Sequence, residues 1–329
     1  MKVEALDTTG IDGLGVRTRV RLVHREELTP RVAILDFAAA DATPLRPGSA
    51  GAHITLHLPS GLARQYSLCG ETPGRYRIAV QREDEGRGGS REAHGLVIGD
   101  ELDITGPRNS FPLSEAPQHL LIAGGIGITP IAAMAHELAR RGTPFRVVLA
   151  LRGVEDAPLA RLLPIGCDVE VRLSAEGDRL DLAALLGSVA PNTAVYVCGP
   201  ARMLTEASTW SFAVQRTGSA LHLEHFEASA ETVAGIHADG DQPFRVTFAR
   251  SGETVTVTGG STILSAARSL GKTIESSCEE GYCGTCETRV LAGTPEHRDD
   301  FLTPEEHEGS ETMMICVSRC ADGDLVLDL

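Results

Sequence analysis

The chain has 329 residues, of which 42% are hydrophobic and 23% charged, a composition typical of globular proteins. This length predicts two or three domains. The net charge of −15 argues against nucleic acid as a partner, because its phosphates repel an acidic surface. No apolar run is as long as a membrane span, and the first residues lack the pattern of a signal peptide. We therefore expect a cytoplasmic protein whose thiols stay reduced.

The first half of the chain alternates apolar and polar residues. Residues 1–15 are polar and contain glycine, which predicts a loose tail. Beyond them, period-two runs separated by proline and glycine turns predict an antiparallel β-barrel, or a sandwich as the alternative, over residues 16–113. The expected strands cover residues 16–23, 31–37, 53–58, 76–82 and 100–105.

Two segments of this barrel carry residues suited to a phosphate-bearing aromatic cofactor. Arg64-Gln-Tyr-Ser67 places a cation, an aromatic ring and a hydroxyl at the end of a strand. Gly86-Arg-Gly-Gly-Ser90 offers free backbone N–H groups and a guanidinium that could hold a phosphate. A plain hairpin turn is the alternative for the second segment. Together the two segments favour FMN, with its phosphate on the arginines and its ring on Tyr66.

Residues 114–228 change to the rhythm of a parallel α/β sheet. A short apolar strand at 119–123 leads into Gly124-Gly-Ile-Gly-Ile-Thr-Pro130 and then into a helical segment. Glycines at such a turn let a pyrophosphate approach the start of a helix, although the usual G-x-G-x-x-G pattern is missing. Cys198-Gly-Pro200 ends a later strand, at the sheet edge where such folds bind ligands. The remaining expected strands cover residues 145–151, 168–173, 194–198 and 221–227.

The C-terminal part begins after a segment without an apolar face. Residues 229–241 are expected to be an interdomain linker. A hairpin over 244–257, a helix over 262–269 and strands at 287–291 and 324–329 predict a small α+β domain over residues 242–329. From residue 241 onwards there are 16 acidic and 7 basic residues, a net charge of −9. Such a surface could steer a partner protein that carries a basic patch, or could simply keep the domain solvated.

Four cysteines of this domain have the spacing of a plant-type [2Fe–2S] cluster. Cys278, Cys283 and Cys286 follow C-x4-C-x2-C, and 29 residues separate Cys316 from the third. Gly281 and Gly284 allow the loop to curl round the metal. The alternatives are a zinc site or a pair of disulfides, but only one C-x2-C pair is present where zinc sites usually have two.

Taken in order, these motifs give the chain a family likeness over nearly its whole length. It resembles the phthalate dioxygenase reductase and vanillate demethylase reductase family, and it is also similar to the reductase of carnitine monooxygenase. The resemblance implies an FMN-binding antiparallel barrel, an NADH-binding parallel α/β domain over 114–228 and a plant-type ferredoxin domain of β-grasp fold. The implied function is to pass electrons from NADH through FMN to the [2Fe–2S] cluster and on to a terminal oxygenase. The resemblance implies that this oxygenase is a Rieske-type demethylase or an aromatic or amine oxygenase.

The resemblance also implies roles for individual residues. Cys198 would border the nicotinamide, Phe226 would stack near the isoalloxazine ring, and Ser67 would lie beside the flavin. A packed thiol is the alternative for Cys198, and a core position is the alternative for Phe226. The residues that correspond to FMN contacts are Arg64, Gln65, Tyr66, Ser67, Ala79, Val80, Arg87, Gly88, Gly89 and Ser90. Those that correspond to NADH contacts are Gly125, Gly127, Thr129, Cys198 and Gly199, and Phe226 is a cofactor-binding residue through its place near the flavin ring.

The electron count supports a flavin between the two other groups. A nicotinamide gives two electrons at once, whereas an iron–sulfur cluster accepts one, so a carrier that handles both is needed. The open alternatives are FAD in place of FMN and NADPH in place of NADH, in a reductase that serves a haem monooxygenase. Arg152 could bind a 2′-phosphate, but Glu155 and Asp156 would repel it. Cys320, four residues after Cys316, is a conceivable fourth ligand. A zinc-stabilised binding module is the non-enzymatic alternative.

Overall fold

A computed structural model describes residues 17–41, 43–70, 72–236 and 241–329 of the chain. The tail expected at residues 1–15 lies outside this range. The chain forms two compact units. The first comprises residues up to 114 together with 129–142 and 155–167, and the second comprises residues 115–128, 143–154 and 168–329.

The first unit is built on a six-stranded antiparallel sheet in the order β4-β3-β6-β1-β2-β5. Its strands are β1 (Thr18–Thr29), β2 (Val32–Ala39), β3 (His53–His57), β4 (Ala63–Ser67), β5 (Arg75–Gln81) and β6 (Glu101–Arg108). The two edge strands meet through a bridge between Leu68 and Ile78, so the sheet closes on itself as the alternation predicts. Its interior is filled by inward-facing residues such as Leu35, Ile54 and Ile104, all fully buried.

Strand β2 also carries a buried carboxylate, that of Asp36, which alternates with the interior residues Leu35 and Phe37. Asp36 is 2% exposed and accepts two hydrogen bonds from Arg77, on the neighbouring strand, at 2.7 and 2.8 Å. The pairing satisfies a carboxylate that would otherwise be costly to bury. This unit also contains helix α1 (Gly89–His94), most of helix α2 (Ile128–Arg141) and part of a 3-10 segment (Val154–Leu162).

The second unit begins with a five-stranded sheet in which every pairing is parallel, as the apolar strand rhythm predicts. Its order is β11-β10-β7-β8-β9, from strands β7 (Gln118–Gly124), β8 (Phe145–Leu151), β9 (Val169–Leu173), β10 (Thr193–Cys198) and β11 (Ala220–Glu224). Helices α3 (Leu182–Gly187), α4 (Ala201–Ser208) and α5 (Ser211–Gln215) supply Leu186, Leu204 and Val214 to a buried cluster with Val195 and Val197 of strand β10.

The C-terminal part of this unit has a mixed sheet in the order β13-β12-β18-β14-β16 and a two-stranded sheet, β15-β17. The strands are β12 (Phe244–Phe248), β13 (Glu253–Val257), β14 (Glu287–Ala292), β15 (Pro295–Glu296), β16 (Thr312–Met314), β17 (Arg319–Cys320) and β18 (Asp324–Leu327). Helix α7 (Ile263–Ser269) begins with a capping box formed by Thr262 and Ser265, and α8 (Pro304–Gly309) with one formed by Thr303 and Glu306.

Between the parallel sheet and the C-terminal sheets of the second unit, the structure differs from the sequence-based expectation. The segment predicted as a linker contains a short helix, α6 (Ala230–Gly235), capped by Ser229. A helix this short is not stable alone, so contacts with other parts of the chain must hold it. Residues 237–240 of the expected linker lie outside the described range. Among the described residues, none of the helices combines the length and apolarity needed to cross a membrane.

Candidate functional site

The four cysteines predicted as cluster ligands converge in the second unit. Cys278, Cys286 and Cys316 are at most 4% exposed, and Cys283 is half-buried. The Cys278 backbone N–H donates to the Cys283 sulfur at 3.4 Å, and the Glu280 N–H donates to the Cys278 sulfur at the same distance. The Cys316 thiol contacts both Cys278 and Cys286. One loop and one distant residue therefore present four sulfurs to a common point.

Hydrogen bonds among the four cysteines lower the pKa of one thiol and raise the pKa of two others. The contacts with the Cys283 and Cys316 thiols, reinforced by backbone N–H groups, hold the pKa of Cys278 well below its usual value. The same contact with Cys278 raises the pKa of Cys283, and contacts with Cys278 and Cys286 raise that of Cys316. A set of four close sulfurs with N–H donors aimed at them fits a cluster that needs four thiolates.

Two glycines give the loop its shape. Gly281 and Gly284 have φ values of +81° and +72°, in the left-handed region. A Cβ on Gly281 would lie 2.7 Å from Val317, the residue after Cys316. A Cβ on Gly284 would lie 2.4 Å from the ring of Phe301. The loop can therefore pack this closely only where these two positions lack side chains.

Cys320, the alternative fourth ligand, lies in different surroundings. It pairs with Pro295 in the two-stranded sheet, and the charged groups that act on its thiol are Asp322, Asp324 and Glu296. Burial is the largest cause of its raised pKa, and no cysteine acts on it. The position therefore favours Cys316 as the ligand.

A second cluster of ionisable groups was missed in the sequence, where the histidines show no metal-ligand spacing. His297, Asp299 and His307 lie together, with Asp299 Oδ1 3.6 Å from His297 Nδ1 and Oδ2 3.3 Å from His307 Nε2. The two imidazole rings are stacked, with centroids 4.4 Å apart and planes 17° from parallel. A metal ion bonds in the plane of an imidazole ring, and one ion cannot lie in two stacked planes. This geometry favours a hydrogen-bonding role around the buried carboxylate.

In the parallel sheet, the glycine turn and the Cys198-Gly-Pro200 segment lie against each other because strands β7 and β10 are neighbours. A Cβ on Gly127 would lie 2.3 Å from the Cys198 carbonyl oxygen, and one on Gly124 would lie 2.7 Å from Pro200. Gly125 has a φ of +54°. The structure thus assembles both predicted nucleotide-binding motifs at the carboxyl edge of this sheet, where open α/β sheets bind ligands.

The structure adds a residue to this edge that the sequence did not single out. Glu224 pairs with Cys198 across strands β10 and β11, and the buried Cys198 thiol hydrogen-bonds the carboxyl group. Burial raises the pKa of Glu224 to about 8, with the Cys198 contact opposing the shift, and also raises the pKa of Cys198. Only the alternation of strand β11 could have indicated an inward-facing carboxyl group here.

Phe226 follows the end of this strand and is half-buried. The next residue, Glu227, accepts a hydrogen bond at 2.8 Å from the backbone N–H of Ala201, the first residue of helix α4. A carboxylate at this position satisfies one of the free N–H groups at the helix start. The contact anchors the chain just beyond Phe226 at the sheet edge.

In the barrel, the structure brings the two predicted phosphate-binding segments together. A Cβ on Gly89 would lie 2.6 Å from the Arg64 side chain, so strand β4 and the start of helix α1 are in contact. Gly88 caps that helix with a φ of +90°, so the glycine segment begins a helix instead of forming the alternative hairpin turn. The Ser90 hydroxyl accepts from the Glu83 N–H at 3.0 Å. Burial raises the pKa of Tyr66.

The other predicted site residues are placed as follows. Ser67 is 5% exposed at the end of strand β4, whereas Arg87 is exposed in the loop before helix α1. Ala79 and Val80 are buried in strand β5, Gln65 lies opposite Thr55, Gly199 packs against Gly124, and Thr129 is buried in the first turn of helix α2.

Comparison with known proteins agrees with this arrangement. A family model described as the 2Fe-2S iron-sulfur cluster binding domain matches residues 246–321. The heme-dependent oxidative N-demethylase beta subunit of Ectopseudomonas mendocina is 40% identical over 317 residues, which cover 94% of this chain and 98% of that protein. The vanillate O-demethylase oxidoreductase of a Pseudomonas species is 39% identical over 310 residues, covering 90% and 94%.

Solved structures show the same likeness. Phthalate dioxygenase reductase, described as a modular structure for electron transfer from pyridine nucleotides to [2Fe-2S], is 32% identical with a TM-score of 0.67, over 95% of this chain and 98% of that one. An intact type IV self-sufficient cytochrome P450 monooxygenase is 35% identical with a TM-score of 0.83, over 95% of this chain. This chain spans only 41% of that longer protein.

One chain combines a barrel of the flavin-binding kind, a parallel sheet of the nucleotide-binding kind (the nucleotide-type sheet) and a cluster-binding domain. This combination defines a flavin and iron–sulfur oxidoreductase. The chain belongs to the phthalate dioxygenase reductase family, the reductase components of oxygenase systems. The predicted family, three-part fold and oxidoreductase class are thereby confirmed. The individual contacts of the site residues and the domain boundaries stay predictions.

Proposed function

We propose that the protein transfers a hydride from NADH to FMN and passes single electrons to a terminal oxygenase through a [2Fe–2S] cluster, for which the ligands would be Cys278, Cys283, Cys286 and Cys316. The observation that carries this proposal is the convergence of the four sulfurs in a chain that also holds both nucleotide-type sites. When bound, the cluster supplies one-electron chemistry, and the chain supplies its ligands and the N–H donors around them.

The barrel would hold the flavin phosphate between Arg64 and the loop that precedes helix α1. Arg64 lies against Gly89, and the backbone of Gly88 bends there with a positive φ, so N–H groups and a guanidinium are close together. Tyr66 and Ser67 follow Arg64 on the same strand and would contact the ring. The choice of FMN over FAD rests on the absence of an obvious aromatic platform for adenine in the sequence.

The nicotinamide would lie beside Cys198, at the carboxyl edge of the parallel sheet. Gly127 packs directly against the Cys198 carbonyl, and Gly199 lets the turn pack against Gly124. These two glycines would let the backbone come close to the dinucleotide, and this close fit would orient it. Specificity for NADH rests on Glu155 and Asp156 near the end of the second strand, since acidic groups disfavour a 2′-phosphate.

The proposed partner is an oxygenase that docks on the acidic C-terminal domain. Helix α8 carries the exposed residues Glu305, Glu306 and Glu308, and its His307 contacts Asp299 beside the cluster loop. Cys283 is the most exposed of the four cysteines, and the exposed Glu279 belongs to the same loop. We propose that a basic patch on a partner is steered to these acidic residues. The relatives' names favour an aromatic or amine demethylase as partner.

Cofactor analysis tests the proposal. Purified protein is heated, and the released flavin is separated by chromatography, while iron and labile sulfide are measured on a second sample. We expect FMN, with two irons and two sulfides per chain, as such a cluster requires. Turnover with NADH should exceed turnover with NADPH by at least about tenfold, the effect of about 1.4 kcal/mol. Release of FAD, bound zinc without iron, or a preference for NADPH would each contradict the corresponding part.

A further inference from the structure

Helix α6 follows the last strand of the parallel sheet and is held at its start by one side chain. Asp300 accepts the Ser229 backbone N–H at 2.6 Å with Oδ2 and the Ser229 hydroxyl at 2.9 Å with Oδ1. The Ser229 hydroxyl in turn accepts the Thr232 N–H at 3.1 Å. This chain of hydrogen bonds fixes the first turn of the helix, where N–H groups lack partners and a negative charge is favourable.

The end of helix α6 is held by a residue of the same segment. Arg298 Nη1 donates to the Gly235 carbonyl at 2.6 Å, and the guanidinium donates to Asp241 at 2.7 and 3.1 Å. The Arg298 side chain is only 13% exposed. Arg319 Nε lies 3.3 Å from the same Asp241 carboxylate and adds a second cation. Asp300 therefore binds the start of the helix and Arg298 binds its end, although the two residues are only two positions apart.

The segment that carries these two residues also touches the cluster loop. The Asp300 backbone N–H donates to the Gly281 carbonyl at 3.1 Å. A Cβ on Gly281 would lie 3.2 Å from Asp299 Cα, so the two stretches of backbone are in close contact. The buried Asp299 carboxylate accepts from the Ser318 hydroxyl at 3.2 Å and from the Leu302 N–H at 2.9 Å. Residues 298–300 thus connect helix α6 with the loop between Cys278 and Cys283.

We infer that Asp300 is a positioning residue for electron transfer into the cluster. Only four residues separate strand β11 from Ser229, so the carboxylate of Asp300 ties the end of the nucleotide-type sheet to the cluster loop. Its backbone holds the loop, while its side chain holds the start of helix α6. The inference rests on the proposed function, because it concerns the step in which electrons from the flavin reach the [2Fe–2S] centre.

The physical reason is that electron transfer depends steeply on how the two centres are placed. Helix α6 has six residues and no stability of its own, so it transmits position only while both ends are held. Without the Asp300 side chain, Ser229 keeps its contact with Thr232 but loses its link to the cluster-bearing segment. The cluster-binding domain would then sample more positions, and fewer of them would allow fast transfer.

The test uses the full-length holoprotein and separates two steps. Asp300→Ala and wild type are mixed with NADH in an anaerobic stopped-flow instrument, and cluster reduction is followed by freeze-quench EPR. We expect flavin reduction at the wild-type rate and cluster reduction slowed by at least about tenfold, since small misplacements of reacting groups cost this much or more. Ferricyanide reduction, which can draw electrons from the flavin, should be unchanged. Iron content and the EPR spectrum of the reduced cluster should also be unchanged.

Matched variants distinguish positioning from general damage. Asp322→Ala removes an exposed carboxylate of the same domain and should behave as wild type. Asp300→Asn retains an oxygen for the Ser229 N–H and should recover most of the rate. Ser229→Ala removes the hydrogen bond from the hydroxyl to Asp300 and the cap on the Thr232 N–H, but leaves the Ser229 backbone N–H bonded to Asp300, and should slow the step less than Asp300→Ala. The double variant should be no slower than Asp300→Ala, because the cap transmits nothing to the cluster loop once the Asp300 carboxylate is gone.

The outcomes separate this inference from the proposed function. Failure of NADH to reduce the cluster in the wild-type protein would refute the proposed relay itself. Normal cluster reduction in wild type and at an equal rate in Asp300→Ala would overturn only the positioning role. Slower flavin reduction, loss of iron or additive effects in the double variant would also overturn it, since each would place the defect elsewhere.

Discussion

The Cα of Gly284 faces the ring of Phe301 so closely that a Cβ on Gly284 would lie 2.4 Å from ring atom Cζ. Phe301 itself follows Asp300, whose N–H holds the other glycine of the loop, Gly281. The loop between the first three cysteines is therefore shaped from outside by one short segment of the chain. This relationship leads to the first prediction.

Gly284→Ala should impair cluster binding, because the new methyl group would overlap the Phe301 ring and would also require a strained positive φ. We expect a large loss of iron and labile sulfide per chain, with flavin content unchanged. Gly252→Ala is a matched control, since Gly252 has the same φ of +72° but nothing within 4 Å of its Cβ position. Full iron content in Gly284→Ala, or an equal loss in both variants, would contradict the steric account.

Cys316→Ser should abolish a normal [2Fe–2S] signal, whereas Cys320→Ser should leave it intact. Cys316 contacts the sulfurs of Cys278 and Cys286, while Cys320 is surrounded by carboxylates. Serine is a poor replacement for a thiolate ligand of iron. The measurement is the EPR spectrum after chemical reduction with dithionite, which bypasses the flavin. A normal spectrum in the first variant and a lost one in the second would reverse the assignment.

Gly127→Ala should weaken the binding of NADH. A Cβ would lie 2.3 Å from the Cys198 carbonyl oxygen and would push the glycine turn away from strand β10. We expect the KM for NADH to rise at least about tenfold, with cluster and flavin content retained. Gly187→Ala is the control in the same unit, since its nearest neighbour would be an ordinary 3.4 Å from the Cβ. An unchanged KM in Gly127→Ala would exclude this edge as the nicotinamide site.

Glu224 predicts a pH dependence of stability. Its pKa is about 8 in the folded protein and near 4.5 when exposed, so the folded state holds this proton more tightly. The contribution is therefore complete below about pH 4.5 and is lost as pH rises towards 8, by up to about 1.4 kcal/mol per unit. Glu224→Gln should flatten this dependence and melt at a higher temperature than wild type at pH 9. Parallel melting curves for the two proteins between pH 6 and pH 9 would show that Glu224 is not buried as a neutral acid.

Sequence motifs predicted those features of the fold that neighbouring residues determine. The cysteine spacing, the positive-φ glycines and the alternation of the strands are written into neighbouring residues, so the three-part fold and the family followed from them. Both of the segments that contain Arg64 and Gly89 suggest a phosphate site; the structure places the two residues in contact, and their role in binding a phosphate stays a prediction. The likeness to a known family supplied the specific cofactors, which the residue pattern alone left open.

Contacts between distant segments were not predictable. Glu224 lies next to Cys198 only because strands β10 and β11 pair in one register. His297, Asp299 and His307 show no motif spacing, and they meet because helix α8 folds back on the preceding segment. Helix α6 exists because Asp300 and Arg298, about 70 residues further along the chain, hold its two ends. Each of these features depends on tertiary packing that a local pattern cannot encode.

The most direct test of the central claim is a visible spectrum of the purified protein before and after anaerobic addition of NADH. The account predicts overlapping flavin and iron–sulfur bands that both bleach, because one chain carries the entire relay. Bleaching of the flavin with an unchanged cluster would contradict electron transfer between them. A colourless protein would contradict the binding of both flavin and cluster, and would favour the alternative in which the four cysteines bind zinc.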